Sequence, residues 1–255
     1  MNCCIMGAGA WGTAVAVHLK RKGHDVILVP RRREHADEIL AERENRSYLP
    51  GIAVAADMRI TPDIAIANEC DVVFLAAPSK GLRHLCESIQ RQLIGNLEGK
   101  VFLALCKGLE TGTNLTPSSV IATIFPESIY GTVSGPTYAV EVAAGKPAAT
   151  VLAVNRESSA SADLQAEISN ESLRVYTSTD LTGVEIGGCI KNVYAIAAGI
   201  CDGLNLGDNA KAALITRSLG EMVRLGVSLG GEAETFYGLS GFGDLVATCS
   251  GEWSR

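Results

Sequence analysis

A single lysine interrupts an apolar stretch between residues 183 and 199, and it is the residue best placed to do chemistry. The periodicity of this stretch is typical of a buried helix. At about 100° per residue Lys191 points away from one apolar stripe and lies beside small residues, which let a ligand or another backbone come close. Alternatively, the lysine stem lies along the edge of the helix and its amine stays in water. The stripe consists of Ile186, Ile190, Val193, Ala197 and Ile200.

A second lysine, Lys107, follows the apolar run 101–105. Open α/β sheets bind ligands at the carboxyl ends of their strands, so Lys107 is a candidate ligand contact, although an ordinary strand-end lysine is equally consistent. Between the two lysines, residues 134–141 read as a strand, a turn set by Pro136 and a helix. The exposed amides of that turn could hold part of a substrate.

The histidines are poor candidates for acid or base. They lie in the first part of the chain, outside any glycine-rich segment, and we expect them to be packing or surface residues. A lysine is therefore the better candidate for proton transfer. The four are His18, His24, His35 and His84.

Three glycines directly after the first predicted strand match the pattern G-x-G-x-x-G and open a helix. Gly7 permits the tight turn, Gly9 lets the backbone approach a pyrophosphate, and Gly12 lets the helix pack on the strand. The N-terminal amides of that helix face the anion. Because the strand–turn–helix context is present, we predict a dinucleotide site rather than a merely tight turn. Its residues are Gly7, Gly9, Ala10, Trp11 and Gly12.

The end of the second predicted strand bears on the choice of nucleotide. Proteins that prefer NAD usually place Asp or Glu there for the ribose hydroxyls. Here Arg31, Arg32 and Arg33 follow Pro30, and the first acid is Glu34. Guanidinium groups suit a 2′-phosphate, so we predict that NADP is accepted at least as well as NAD. Three solvated arginines at the start of a helix are the alternative.

Composition excludes several classes of protein. The chain has 255 residues, 47% of them hydrophobic, and a net charge of −6, which argues against nucleic acid as a partner. Eight scattered cysteines without a Cys-x-x-Cys pair predict buried thiols in a reducing compartment, neither disulfides nor a metal site. We expect no signal peptide, and the longest apolar stretch falls short of the ~20 residues that span a bilayer. A cytoplasmic protein without membrane partners is expected.

Strand-like and helix-like runs alternate through the first two-thirds of the chain. Continuous apolar strands predict a Rossmann-type, doubly wound parallel sheet of the α/β class. After about Thr179 only helices are predicted, so we divide the chain into a nucleotide-binding domain, residues 1–179, and an all-helical domain, residues 180–255. The predicted strands are Asn2–Met6, Asp25–Val29, Asp71–Ala76, Lys100–Leu105, Tyr130–Ser134, Ala148–Ala153 and Leu173–Thr177. The predicted helices are Trp11–Lys22, Arg33–Glu44, Lys80–Gln92, Leu181–Cys201 and Ala210–Leu225.

Taken together, these motifs resemble the bacterial-type NAD(P)-dependent glycerol-3-phosphate dehydrogenases, whose second domain is similar to that of 6-phosphogluconate dehydrogenase. The resemblance covers the whole chain. It is carried by Gly7–Ala14, Leu49–Ile52, Ala77–Ser79, Lys107–Glu110, Ser134–Val142, Arg174–Tyr176, Gly183–Gly199, Gly203–Arg217 and Thr235–Val246.

The resemblance implies reversible hydride transfer between nicotinamide and glycerol 3-phosphate or dihydroxyacetone phosphate, which would supply glycerol 3-phosphate for phospholipid synthesis. Lys191 matches the family's general base, and Asn192 and Thr248 are plausible polar neighbours. The matching substrate-binding positions are Lys107, Gly135, Thr137, Lys191, Asp244, Ser254 and Arg255. The matching cofactor contacts are Trp11, Arg31, Lys107, Ala139 and Arg255. A homodimer is compatible with the resemblance, and no metal is implied.

The chain departs from the family pattern at two places. Family members continue past the position of Arg255 with an asparagine and several helices, so we expect a C-terminally truncated substrate domain in which Arg255 is a poor phosphate clamp. Pro30 replaces the aromatic pattern common at its strand end, which weakens the prediction of the adenosine contacts.

Two other functions stay open. The 3-hydroxy-acid dehydrogenases share a Rossmann domain and a catalytic lysine, but they usually place asparagine four residues after that lysine. Here Ala195 occupies that position and the asparagine is adjacent, at position 192. A nucleotide-binding fragment without catalysis is the second alternative.

Overall fold

The computed structural model describes residues 1–95, 97–156 and 159–251. Its centre is an eight-stranded sheet with the strand order β10-β9-β8-β7-β6-β1-β2-β5, and two further strands, β3 and β4, form a separate hairpin-like pair. The strands are β1 Asn2–Met6, β2 Asp25–Val29, β3 Glu44–Asn45, β4 Leu49–Ala53, β5 Arg59–Ile60, β6 Val72–Leu75, β7 Val101–Ala104, β8 Ile129–Ser134, β9 Ala148–Val154 and β10 Leu173–Ser178.

Helices follow most of the strands in the first part of the chain, and helices alone follow β10 among the described residues. The α-helices are α1 Ala10–Arg21, α2 Arg33–Glu42, α3 Ser79–Gln90, α4 Pro117–Ile124, α5 Ala139–Ala143, α6 Ser159–Ile168, α7 Leu181–Gly203, α8 Asp208–Ser228, α9 Ala233–Tyr237 and α10 Asp244–Ser250. A 3₁₀ helix spans Ile64–Glu69 and a π-helical turn spans Leu239–Gly243.

The central strands of the sheet are buried on both faces, as continuous apolar strands require. Alternate residues of β1 show this directly. Cys3 and Ile5 join one core cluster, whereas Cys4 and Met6 join the cluster on the opposite face. The Rossmann-type, doubly wound architecture with a helical second part is therefore confirmed.

One detail of the sheet was not predicted. Strand β9 pairs antiparallel with β8, and β10 then pairs parallel with β9, so the last two strands run against the other six. The apolar pattern of one β-strand does not tell whether it pairs parallel or antiparallel, because buried strands of either direction can be uniformly apolar. The predicted strand bounds agree to within one or two residues, whereas α4, α6 and the short strands β3, β4 and β5 were missed.

Helix α7 corrects the prediction about its apolar stripe. Its buried face contains Lys191 together with Val184, Gly187 and Gly188. Two members of the expected stripe, Val193 and Ile200, are instead 65% and 58% exposed. The helix is apolar on two sides, and periodicity cannot say which side the rest of the chain covers. The side with small residues is covered because it permits the closer approach.

With 23 residues, α7 is also long and apolar enough to cross a membrane by length and composition, so the length argument against a span was wrong. Half of its most apolar window is buried inside the protein. Within the described residues, no group of three histidine, cysteine or acidic side chains could hold a metal ion. All eight cysteines are free and at least half-buried, in agreement with the prediction of core thiols.

Candidate active site

The glycine-rich turn joins β1 to α1 with the geometry that a dinucleotide needs. Gly7 has φ +120°, and a Cβ there would lie 2.8 Å from the carbonyl oxygen of Ala76. A Cβ at Gly12 would collide with the carbonyl of Gly7, so α1 can pack on the turn only if that residue is glycine. By contrast, Gly9 faces open space and directly precedes the first turn of α1. The unpaired amides of a first helical turn attract anions, and the open approach at Gly9 leaves room for a phosphate.

Ala139 lies beside this turn even though it is 130 residues away in sequence. It packs together with Ala10 and Trp11 against a small cluster formed by Ala14, Leu49 and Ala143. The contact between α1 and α5 therefore brings the start of α5 next to the dinucleotide turn.

The arginines after β2 are free to meet a ligand. Arg31 and Arg32 are exposed at the carboxyl end of the strand, and α2 begins at Arg33. The same sheet edge carries the glycine turn, because β1 and β2 are parallel neighbours. The residues present thus fit a dinucleotide: glycine-rich backbone for the pyrophosphate and guanidinium groups where a 2′-phosphate would lie.

Two lysines from different parts of the chain meet at one carboxylate. Lys191 Nζ, on α7, donates to Oδ1 of Asp244, the first residue of α10, and also to Thr248 Oγ1 at 2.8 Å. Lys107 Nζ, just after β7, donates to Oδ2 of Asp244 at 2.5 Å and to the carbonyl oxygen of Gly135 at 3.0 Å. The cluster therefore joins the carboxyl edge of the sheet to two helices of the second part of the chain.

Lys191 is only 7% exposed, and Asp244 is 3% exposed. Burial and, after it, the neighbouring Lys107 ammonium lower the pKa of Lys191, while the Asp244 carboxylate opposes both effects; the resulting pKa is about 8. An amine with such a pKa exchanges its proton near neutral pH, as a general acid or base must.

Small residues make the close approach of α7 possible. A Cβ at Gly188 would lie 2.7 Å from Ser134 Oγ, and a Cβ at Gly187 would lie 2.9 Å from the carbonyl oxygen of Ser240. Gly187 and Gly188 therefore let one side of the helix rest on the end of β8 and the π-helical turn. Lys191 follows one turn later on the same side.

The segment after β8 forms the expected strand, turn and helix. Gly135 has φ +153°, its carbonyl accepts from Lys107, and Thr137 Oγ1 donates to the same oxygen at 3.2 Å. Tyr138 donates its hydroxyl to the carbonyl of Ala247 in α10 at 2.5 Å. The turn is thereby held against Lys107 and the helix that carries Asp244.

Some expected residues do not join the cluster. Asn192 is exposed on α7, away from its buried face. Ser254 and Arg255 lie outside the described residues. Three of the histidines are buried and hydrogen-bonded within the first part of the chain, and the fourth, His84, is exposed. This agrees with packing or surface roles.

Sequence reasoning missed two polar groups close to this cluster. Ser134 Oγ is buried beside Gly188 and has no hydrogen-bond partner within the part of the chain that the structure describes. Glu185 is buried on α7 and bonds to α4. Glu185 could have been found from the sequence, because it is an acid in the middle of an apolar helix. No sequence signal pointed to Ser134.

Comparison with known proteins agrees with this geometry. Residues 2–160 match the family model described as the NAD-dependent glycerol-3-phosphate dehydrogenase N-terminus, and residues 180–255 match the corresponding C-terminus. The chain is 45% identical to glycerol-3-phosphate dehydrogenase [NAD(P)+] of Methylibium petroleiphilum and 46% identical to that of Nitrosomonas europaea. Both alignments cover 100% of this chain and 76% of the relative.

Among solved structures, glycerol-3-phosphate dehydrogenase from Coxiella burnetii superposes with a TM-score of 0.93 at 40% identity, over 100% of this chain and 77% of that one. A ketopantoate reductase from Ralstonia eutropha, at 17% identity and a TM-score of 0.57, shares the fold alone. The chain belongs to the NAD-dependent glycerol-3-phosphate dehydrogenase family.

Proposed function

We propose that the chain catalyses reversible hydride transfer between NAD(P) and glycerol 3-phosphate or dihydroxyacetone phosphate. The observation that carries this proposal is the buried Lys191, which lies between Lys107 and Asp244 at the carboxyl edge of a dinucleotide-binding sheet. Family membership supplies the substrate class. A triose phosphate is small and anionic, which suits a crevice with two lysines.

Lys191 is the proposed general base. Oxidation of a secondary alcohol requires removal of the hydroxyl proton while hydride leaves the same carbon. The nicotinamide, when bound, accepts that hydride or returns it. With a pKa near 8, neutral Lys191 can take the proton from the C2 hydroxyl, and the ammonium can return it to the carbonyl oxygen in the reverse direction.

The residues around Lys191 have three proposed roles: they orient its amine, lower its pKa and contact the substrate. Asp244 and Thr248 hold Nζ in place, because both accept hydrogen bonds from it. Lys107 lowers the pKa of Lys191 and offers a cation to the substrate. Gly135 and Thr137, on the turn beside Lys107, are proposed substrate contacts. Residues 1–179 would hold the nucleotide, and residues 180–255 would supply the base.

Turnover and binding on one preparation test the proposal. NADPH oxidation with dihydroxyacetone phosphate, and no reaction with 3-hydroxy acids, is expected. Turnover with 3-hydroxy acids instead would favour the alternative dehydrogenase class. Calorimetric binding of NADPH without any turnover would favour a nucleotide-binding fragment. We further propose a cytoplasmic location and a supply of glycerol 3-phosphate to phospholipid synthesis.

Removal of the arginines after β2 tests the preference for NADP. The double substitution Arg31→Ala and Arg32→Ala is expected to weaken NADPH binding by about 10- to 100-fold, the equivalent of one charge-assisted bond to a phosphate at about 1.5–3 kcal/mol. NADH binding should change by less than about threefold, since NADH lacks the 2′-phosphate. Calorimetry with both nucleotides measures the difference.

Arg46→Ala is the matched control, because Arg46 is exposed and pairs with nearby acids, Glu42 and Glu44. It should leave both affinities unchanged. Equal losses for NADPH and NADH in the double variant would contradict a 2′-phosphate role for the arginines.

A further inference from the structure

A buried carboxylate fastens helix α7 to the nucleotide-binding part of the chain. Glu185 is 5% exposed, and its Oε1 accepts from the backbone N–H of Ser118 at 2.8 Å. Its Oε2 accepts from the hydroxyl of the same serine at 2.5 Å. Both oxygens are therefore engaged by one residue of α4.

The partner site suits an anion. Thr116 caps α4, Pro117 is its first residue, and Ser118 follows, so the Ser118 amide is one of the groups that a helix leaves without an internal partner. The N-terminal end of a helix carries a partial positive charge. The carboxylate of Glu185 is thus bound by neutral hydrogen-bond donors of Ser118. Burial raises the pKa of Glu185, and the bonds from Ser118 and the nearby Thr116 hydroxyl oppose the rise.

The same carboxylate lies close to the segment that carries Lys107. It is near enough to Cys106, the residue before Lys107, for its charge to raise the pKa of that buried thiol. Glu185 also precedes Lys191 by six residues, which is about 9 Å along a helix. The bond thus connects α4 to the helix of the proposed base.

We infer that Glu185 is a positioning residue that, through Ser118, sets the placement of Lys191 against Lys107 and Asp244. Only the kinetic test of this inference depends on the proposed function. A misplacement of about 1 Å far from the chemistry can cost about 100-fold in rate. A helix without this fixed point could shift against the sheet edge, since the glycines at positions 187 and 188 provide contact but no directional bond.

The substitution Glu185→Gln tests the inference, because glutamine keeps the size but removes the charge and one acceptor. We expect kcat to fall about 10- to 100-fold with KM within about twofold of wild type. The affinity for NADPH should not change. The second readout is the pKa of Lys191, obtained from the pH dependence of its acetylation rate. It should rise by roughly 1 unit, as burial and the Lys107 charge act less on a displaced amine.

Two further variants make the result decisive. Ser118→Ala removes the hydroxyl and leaves the amide, so it should give a smaller change in the same direction. Glu221→Gln removes an exposed carboxylate on α8 and should change nothing.

Lower thermal stability with wild-type kcat and an unchanged Lys191 pKa would overturn the inference, because Glu185 would then be only structural. If Glu185→Gln does not fold, the kcat and the Lys191 pKa of Ser118→Ala decide instead. If the wild-type chain shows no turnover, the proposed function fails, while the acetylation measurement still decides the positioning role.

Discussion

Replacement of Lys191 by alanine is expected to lower turnover by roughly 10²–10⁴-fold, the usual contribution of a placed general acid or base. The affinity for NADPH should stay nearly intact, because Lys191 contacts Asp244 and Thr248 rather than the glycine turn. Steady-state kinetics with dihydroxyacetone phosphate and calorimetry with NADPH measure the two quantities.

Lys146→Ala is the control for this variant. The Lys146 side chain is 63% exposed and pairs with Glu141, so its loss should leave kcat unchanged. Wild-type turnover in Lys191→Ala would remove Lys191 from the mechanism. A parallel loss of NADPH binding would show that the lysine acts on the nucleotide instead.

Substitution of Asp244 by asparagine is expected to lower the free energy of unfolding by about 3 kcal/mol, the cost of removing one partner of a buried ion pair. The carboxylate accepts from both lysines, and without it two cations share a crevice with no counter-charge. Because Asp244 raises the pKa of Lys191, that pKa should fall below about 8 in the variant. Turnover should fall as well, since Nζ loses the group that orients it.

The pH dependence of this loss has a defined sign. Asp244 favours the protonated form of Lys191, so the part of its contribution that acts through Lys191 is present at neutral pH and is lost as the pH rises past about 8, where that amine becomes neutral. Urea unfolding of both proteins at several pH values measures the difference. Asp37→Asn, at an exposed position of α2, is the control. A loss that is equal at all pH values would contradict the coupling of Asp244 to Lys191.

The sheet was largely predictable because its strands are short apolar runs with clear borders. The bounds of β1 and β2 agree with the sequence prediction residue for residue, since a glycine turn ends one and Pro30 follows the other. The direction of β9 was not predictable, because it depends on pairing across the sheet. Helix α4 was missed although Thr116 and Pro117 form a recognisable helix start.

The lysines could be predicted as candidates, but Asp244 was named only through the family resemblance, and the meeting of both lysines at its carboxylate is seen only in the structure. Asp244 follows Lys107 by 137 positions, and no local pattern links them. The covered face of α7 was also beyond a periodicity argument. Its glycines allow close packing, whereas the more obvious apolar side chains, such as Val193, stay exposed. Closeness of approach, more than hydrophobicity, decides which side of this helix is buried.

The central claim is that Lys191 is a buried amine whose proton is exchangeable near neutral pH. The most direct test is the pKa of its Nζ in the folded wild-type protein, from the pH dependence of acetylation at that residue. We predict a value of about 8, well below the ordinary 10.5. A value at or above 10.5 would mean a solvated ammonium and would contradict its role as the base.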